Sequence, residues 1–149
     1  MEEYKYPILL CIALAAVLAG ALIVLLRRKR RGPADGLDDM EGHEFEYFCA
    51  DLLKRRGFLE VEVTRGSGDY GIDILAEKDG VTYAIQCKRY NGPVGVKAVQ
   101  EAYAGRDYYD RMVGAVLTNQ YFTAPAAEAA KKLKILLWDR GYLESMMEE

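Results

Sequence analysis

GSGDYGIDILAEKDGVTYAIQCKRY, running from Gly66 to Tyr90, decides the fold. Asp79-Gly80 is the pair that a two-residue type I′ hairpin turn requires, because both of its central residues need positive φ. With those two as the loop, the register follows: Lys78 faces Val81, Leu75 faces Ala84, and Asp73 faces Gln86. Directly opposed residues share a face of the sheet, with Cβ atoms roughly 4.5–5.5 Å apart. Lys88 lies two residues beyond Gln86 and projects from the same face. It is a diagonal neighbour of Asp73, at roughly 7–8 Å. A carboxylate, a carboxamide and an ammonium are therefore expected to converge. Ile72, Ile74, Ile85 and Cys87 fall on the opposite face and read as core.

Upstream of the hairpin, Phe45, Phe48, Cys49, Leu52 and Leu53 recur at helical spacing. Asp38 or Asp39 can cap that helix, and Gly57 ends it. Phe58 to Thr64 alternates apolar and charged residues, the mark of a half-buried strand. Arg65 to Gly71 is a glycine-rich loop, and the hairpin strands are expected at about 72–77 and 81–89. Downstream, Asn91-Gly92-Pro93 is a turn. Residues 94–107 suit a second helix with Val96, Val99 and Tyr103 on one face. Residues 112–118 form a short apolar run expected to be a buried strand. Thr123 caps a third helix with Pro125 in its first turn. Residues 134–139 make a last strand, and a short helix begins at about Tyr142. The order α-β-β-β-α-β-α-β places hairpin-joined strands first and strand-helix-strand units later. The fold class is α/β, a mixed sheet flanked by helices.

The N-terminal stretch has a different character. Residues 7–26 carry no charge, and that length spans a hydrocarbon core of roughly 30 Å. Arg27-Arg28-Lys29-Arg30-Arg31 follows at once. A signal peptide carries its positive charge before a shorter apolar region, so a transmembrane anchor is the better reading. The positive-inside rule puts the N-terminus outside and everything after Arg31 in the cytoplasm of a single-pass protein at the cell (inner) membrane. The expected domains are therefore an anchor with its basic flank at 1–31, a linker at 32–40 and a catalytic-type domain at 41–149.

Charge is divided in the same way. Residues 1–31 hold a balance of +4, which leaves −7 for residues 32–149 of a chain whose net charge is −3. An acidic domain argues against tight, stand-alone nucleic-acid binding. Cys11, Cys49 and Cys87 show no CxxC spacing, so zinc is not expected. His43 is the only histidine, which excludes a histidine-based triad or a multi-histidine metal site.

The polar trio suits metal-assisted phosphodiester hydrolysis. A hard cation such as Mg²⁺ takes oxygen ligands, and a nearby cation offsets charge that develops on phosphorus. Asp73 supplies a carboxylate, Gln86 and the Cys87 backbone supply carbonyl oxygens, and Lys88 supplies the ammonium. One carboxylate holds Mg²⁺ poorly. Glu46 on the first helix and Asp69 in the glycine loop are the candidates for a second. The plain structural alternatives are a turn cap or ion pair for Asp73 and solvated side chains for Glu46 and Lys88.

GSGDYGIDILA, then DG, then YAIQCKRY resembles the Mrr-like restriction endonucleases of the PD-(D/E)XK nuclease superfamily. The likeness extends over residues 41–139 through FEYFCADLLKRRGF, VGVKAVQEAYAG and VLTNQYFTAPAAEAAKK. The resemblance implies an αβββαβ nuclease core and metal-dependent cutting of DNA with Mg²⁺ or Mn²⁺. By that resemblance Asp73 is the catalytic aspartate, Gln86 and Lys88 are the Q-x-K pair, and Glu46 is the first-helix glutamate. Gln100 matches a second-helix glutamine of related nucleases, with Tyr103 one turn on. Gln100, Tyr103, Arg89 and Asp69 are the candidate DNA contacts. Two strands to cut with one site per chain point to a homodimer, and no small-molecule substrate is expected. Defence against foreign or modified DNA is the implied role. A membrane-tethered nucleic-acid-binding module or scaffold without turnover is the rival reading.

Overall fold

The turn at Asp79-Gly80 forms with φ of 53° and 77° at its two residues. The flanking strands pair in the expected register, Lys78 with Val81, Leu75 with Ala84 and Ile74 with Ile85. The structure, a computed structural model, describes residues 13–23, 36–65, 68 and 70–148. It divides into two compact units, Met1–Asp35 and Gly36–Glu149. In the first unit, residues 13–23 form helix α1, with Leu14, Val17, Leu18, Leu22 and Ile23 exposed. The rest of the expected span, the basic run and residues 32–35 of the linker lie outside the described residues, as do Cys11 and Asp69. Among the described residues no helix is long and apolar enough to cross a membrane.

The second unit runs α2 (Gly42–Arg55), β1 (Leu59–Val63), β2 (Ile74–Lys78), β3 (Val81–Lys88), α3 (Val96–Tyr108), β4 (Val113–Thr118), α4 (Ala124–Leu133), β5 (Ile135–Trp138) and α5 (Arg140–Glu148). The five strands lie side by side in chain order. The first three are antiparallel, and β3, β4 and β5 are parallel. Parallel neighbours need a crossover, and α3 and α4 supply the two. These helices share one core layer, built from Val94, Ala98, Val99, Ala102, Ala126 and Ala130 with Val116 and Ile135 of the sheet. The other face belongs to α2 and α5. The Arg56 guanidinium at the end of α2 donates to the Met146 carbonyl of α5 from Nε at 2.6 Å and again from Nη2.

Four expectations change. The cap of α2 is Glu41, not Asp38 or Asp39: Glu44 reaches back to accept from the Glu41 N–H at 3.4 Å. Asp38 is held elsewhere, by the Asn119 amide at 2.8 Å and the Arg140 guanidinium at 2.8 and 2.9 Å. Strand β1 is more exposed than its alternation suggests, because it is an edge strand with a register shift between Leu59 and Glu62. The buried face of α3 is Ala98, Val99, Ala102 and Gly105, while Tyr103 is exposed beneath the Arg106 guanidinium. Ile72 packs with Leu75 and Ala84 rather than with Ile74 and Ile85. The regular ladder starts only at Ile74. Strand alternation therefore does not reach back through the bend at Gly71, where φ is +77°.

Candidate active site

The ladder between β2 and β3 ends at Asp73, and its carboxylate takes over. The Asp73 N–H donates to the Ile85 carbonyl at 2.9 Å. Asp73 Oδ2 accepts the Cys87 N–H at 2.6 Å and the Gln86 Nε2–H at 2.6 Å. A side chain thus replaces a strand partner, which fixes the carboxylate against the end of β3. Asp73 and Gln86 are both buried, at 9% and 3% exposure. The second Gln86 amide hydrogen is directed at its neighbour's carbonyl, Cys87 O, at 3.3 Å. Both donors of the amide are therefore used, and Oε1 is left buried with no hydrogen-bond partner. An acceptor stranded in this way costs about 1–3 kcal/mol.

These groups open onto a cleft of about 620 Å³, lined by Tyr70, Gly71, Asp73, Gln86 and Lys88 on one side and by Lys97, Gln100, Glu101 and Ala104 of α3 on the other. The trio that the hairpin register placed on one face shares this cleft. Gln100 lines it too. Lys88 Nζ pairs with Glu101 Oε2 at 2.8 Å. Lys97 stands 3.8 Å from the other Glu101 oxygen. At the rim, the exposed ring of Tyr70 stacks on Tyr108, with centroids 3.6 Å apart.

The remaining sequence candidates have other partners. Glu46 Oε2 pairs with His43 Nδ1 at 2.9 Å, and the Glu46 carboxylate, like that of Asp73, acts on Cys87. Tyr103 is taken up by Arg106 on the outside of α3, with the guanidinium 4.7 Å from the ring centroid. Arg89 is a structural tie: it donates to the Asn91 side chain at 2.8 Å and to the Asp38 carbonyl. Asp69 lies outside the described residues. The Cys87 side chain points away from the cleft toward Cys49, so only its backbone is available to the site.

Glu101 is the functional-type residue that the sequence reading did not single out. It sits beside Gln100 on a helix whose register against the hairpin is set by packing. Two glycines fix that packing. A Cβ on Gly105 would come within 2.2 Å of Ile72 Cγ1, and one on Gly71 would lie 3.0 Å from Glu101 Cβ and 3.3 Å from Gln86 Oε1. Only residues without side chains let α3 approach this closely. The glycines of the hairpin loop were the available signal.

Electrostatics separate the two faces. The hydrogen bond that the Cys87 thiol donates to Cys49, with burial next, pushes that thiol well above its usual value, and the Asp73 and Glu46 carboxylates add to the shift. A buried, protonated thiol is chemically inert. His43 is raised above its ordinary value by the hydrogen bond to Glu46 first, and by that carboxylate's charge. Among the described residues, no three His, Cys, Asp or Glu side chains gather as a metal-holding group. The cleft's own donors fit a different kind of ion: one fixed carboxylate and a stranded amide oxygen suit a hard cation. Mg²⁺ keeps several waters and is commonly held by one or two carboxylates plus substrate phosphates.

Comparison with known proteins bears on the fold and the family. No curated protein sequence matches the chain significantly. Among solved structures, the protein of unknown function AF1548 superposes with a TM-score of 0.59 at 28% identity, over 69% of this chain. The DNA modification-dependent restriction endonuclease AspBHI gives 0.52 at 21% identity over 86% of the chain. MspJI restriction endonuclease, solved in complex with a 27-mer oligonucleotide, gives 0.54 at 19% over 72%. The matched part spans 63%, 34% and 28% of those three chains, so the last two share a fold with a portion of larger proteins. The Mrr_cat family, described as restriction endonuclease, matches residues 37–147, and the chain therefore belongs to that restriction endonuclease family.

Proposed function

We propose that residues 36–149 form a divalent-metal-dependent endodeoxyribonuclease that hydrolyses DNA phosphodiester bonds, carried at the membrane by the N-terminal segment. The observation that carries this reading is the stranded Gln86 Oε1 beside the fixed Asp73 carboxylate, in one cleft with Lys88. Asp73 and Gln86 would hold Mg²⁺, or Mn²⁺ in its place, with the Cys87 carbonyl within the same turn of strand. Bound there, the ion would supply Lewis acidity at the phosphate and a more acidic water. The chain's own groups do the rest. Lys88 orients the attacking water and offsets the negative charge that develops on the phosphoryl oxygens. Gln100 and Lys97 lie along the cleft wall where a backbone phosphate would pass. The Tyr70 ring at the rim offers a face on which a base can stack.

Two of the three solved structures named above are described as restriction endonucleases, one of them modification-dependent. That supports a role against foreign or modified DNA. Cutting both strands with one such cleft per chain would take a homodimer. The rival reading, a scaffold without turnover, has one observation in its favour: Lys88 is occupied by Glu101. A plasmid-nicking assay on the full chain in detergent with Mg²⁺ or Mn²⁺ separates the two. Asp73→Ala is expected to lower cutting by about 100-fold or more, the scale on which loss of transition-state stabilisation acts. Equal cutting by wild type and variant would mark a contaminant and defeat the enzyme reading.

A further inference from the structure

We infer that Glu101 is the second carboxylate of the cation site, and that Lys88 holds it in reserve until the cation arrives. This inference rests on the metal-dependent reading above. Among the described residues, the cleft has two carboxylates, Asp73 and Glu101. Asp73 alone gives one negative charge to an ion that favours one or two. The sequence candidate, Glu46, pairs with His43 on the α2 side of the sheet, while Glu101 lines the cleft itself. Glu101 reaches the same small volume from the opposite wall. A Cβ built on Gly71 would touch Glu101 Cβ at 3.0 Å and Gln86 Oε1 at 3.3 Å, so the carboxylate-bearing residue and the stranded oxygen converge on one point. Gln86 is 3% exposed, and its free Oε1 is the independent sign that a ligand belongs there.

The Lys88–Glu101 pair then has a definite meaning. Its partners are 18% and 27% exposed, and Nζ lies 2.8 Å from Oε2. In this arrangement the ammonium offsets the Glu101 charge. With Asp73 and Glu101 as its holders, a divalent ion would take over as counter-charge to Glu101. Lys88 is then free to turn toward the scissile phosphate. Lys97, 3.8 Å from the other Glu101 oxygen, stays at the cleft mouth.

Mn²⁺ binding to the full chain in detergent micelles, followed by electron paramagnetic resonance without DNA, tests this apart from turnover. Glu101→Gln is expected to weaken Mn²⁺ by about tenfold or more, with a metal-free melting temperature close to wild type. Lys88→Met is expected to tighten Mn²⁺ by about threefold, since it removes the competing ammonium. Because loss of a cleft ammonium favours any cation at Asp73, the assignment is read from that gain disappearing when Glu101→Gln is added to Lys88→Met; a gain that persists in the double variant counts against Glu101 as a ligand. Should Glu101→Gln unfold the chain, Glu101→Asp keeps the charge and shifts it by one methylene; weakened Mn²⁺ binding in a folded Asp variant supports the assignment. Wild-type affinity in a folded Glu101 variant, with binding lost in Asp73→Asn, overturns this inference and leaves the parent reading standing. The same holds if Glu46→Gln weakens binding and Glu101→Gln does not. Unchanged binding in Asp73→Asn itself defeats the metal site as a whole, and Glu101 with it.

Discussion

Asp73 does two jobs with one oxygen: Oδ2 accepts both a strand N–H and the Gln86 amide. Its placement was legible because a two-residue turn counts residues outward without ambiguity. The partner of Lys88 was not legible in the same way. The hairpin put Lys88 diagonal to Asp73, but Glu101 reaches it from another element at 2.8 Å. Glu46 shows the reverse case. Its position beside the apolar stripe of α2 suggested a reach over the sheet edge; its carboxylate bonds to His43, and its charge acts on Cys87. This pair gives a clean measurement, since His43 is the only histidine. Its ring is expected to titrate above 6.5 in an NMR pH series, chiefly because Glu46 hydrogen-bonds it. Glu46→Gln should bring the midpoint back down. A raised folded-state value means that the contact stabilises below the ordinary histidine pKa and fades as pH rises through the shifted one. An unchanged midpoint in Glu46→Gln would show that the pair does not form in solution.

Helix α3 is where packing overruled periodicity. Read as a pattern, Val96, Val99 and Tyr103 made a plausible apolar face. The helix instead buries Ala98, Val99, Ala102 and Gly105, because it lies too close to the sheet and to the loop before β2 for larger side chains. Ile72 fills the remaining space at full burial, worth roughly 1.5–3 kcal/mol for a side chain of its size. That contact also explains why Ile72 leaves the face its sequence position suggested. It ties the loop carrying Asp73 to the helix carrying Gln100 and Glu101. Gly105→Ala would force a Cβ to 2.2 Å from Ile72 Cγ1 and 2.9 Å from the Tyr70 carbonyl. We expect urea denaturation to show a loss of about 1–3 kcal/mol, the usual cost of overpacking. Nicking activity should fall further than that loss explains, because both walls of the cleft shift. Wild-type stability would mean that α3 stands farther from the loop than described.

At the scale of the molecule, the sheet's far end is held by Asp38. Its carboxylate joins Asn119 after β4 to Arg140 at the start of α5, while Arg89 after β3 bonds the Asp38 carbonyl. Burial pushes the Asp38 carboxyl up, but the hydrogen bonds from Asn119 and Arg140 and the charges of Arg140 and Arg89 outweigh it and hold it below 3.8. A lowered folded-state pKa contributes stability above the ordinary value, and that contribution is lost as pH falls through the lowered one. The side chain is 43% exposed, so the effect is modest. Asp38→Ala is expected to cost about 1–2 kcal/mol near neutral pH, and the difference from wild type should shrink in acid. A difference that stays constant down to the acid transition would remove the charge from the explanation. The N-terminal unit carries a separate expectation. If residues 7–26 span a bilayer, alkaline carbonate leaves the full chain in the membrane pellet. Release into the supernatant would exclude the anchor.

The sequence by itself determined the hairpin, the order of elements and the family, because each is written in local signals. Asp79-Gly80 sets the turn, Gly57 stops α2, Thr123 and Pro125 start α4, and alternation or apolar runs mark the strands. It also placed Asp73, Gln86 and Lys88 together, since their relation is counted along one hairpin. Tertiary structure alone decided what faces them. Glu101 meets Lys88, Asp38 meets Arg140 and Ile72 meets Gly105 across separate elements. Those meetings depend on how closely one layer can approach another, a distance set by side-chain volume and by competition among charges. No spacing along a single strand or helix encodes it.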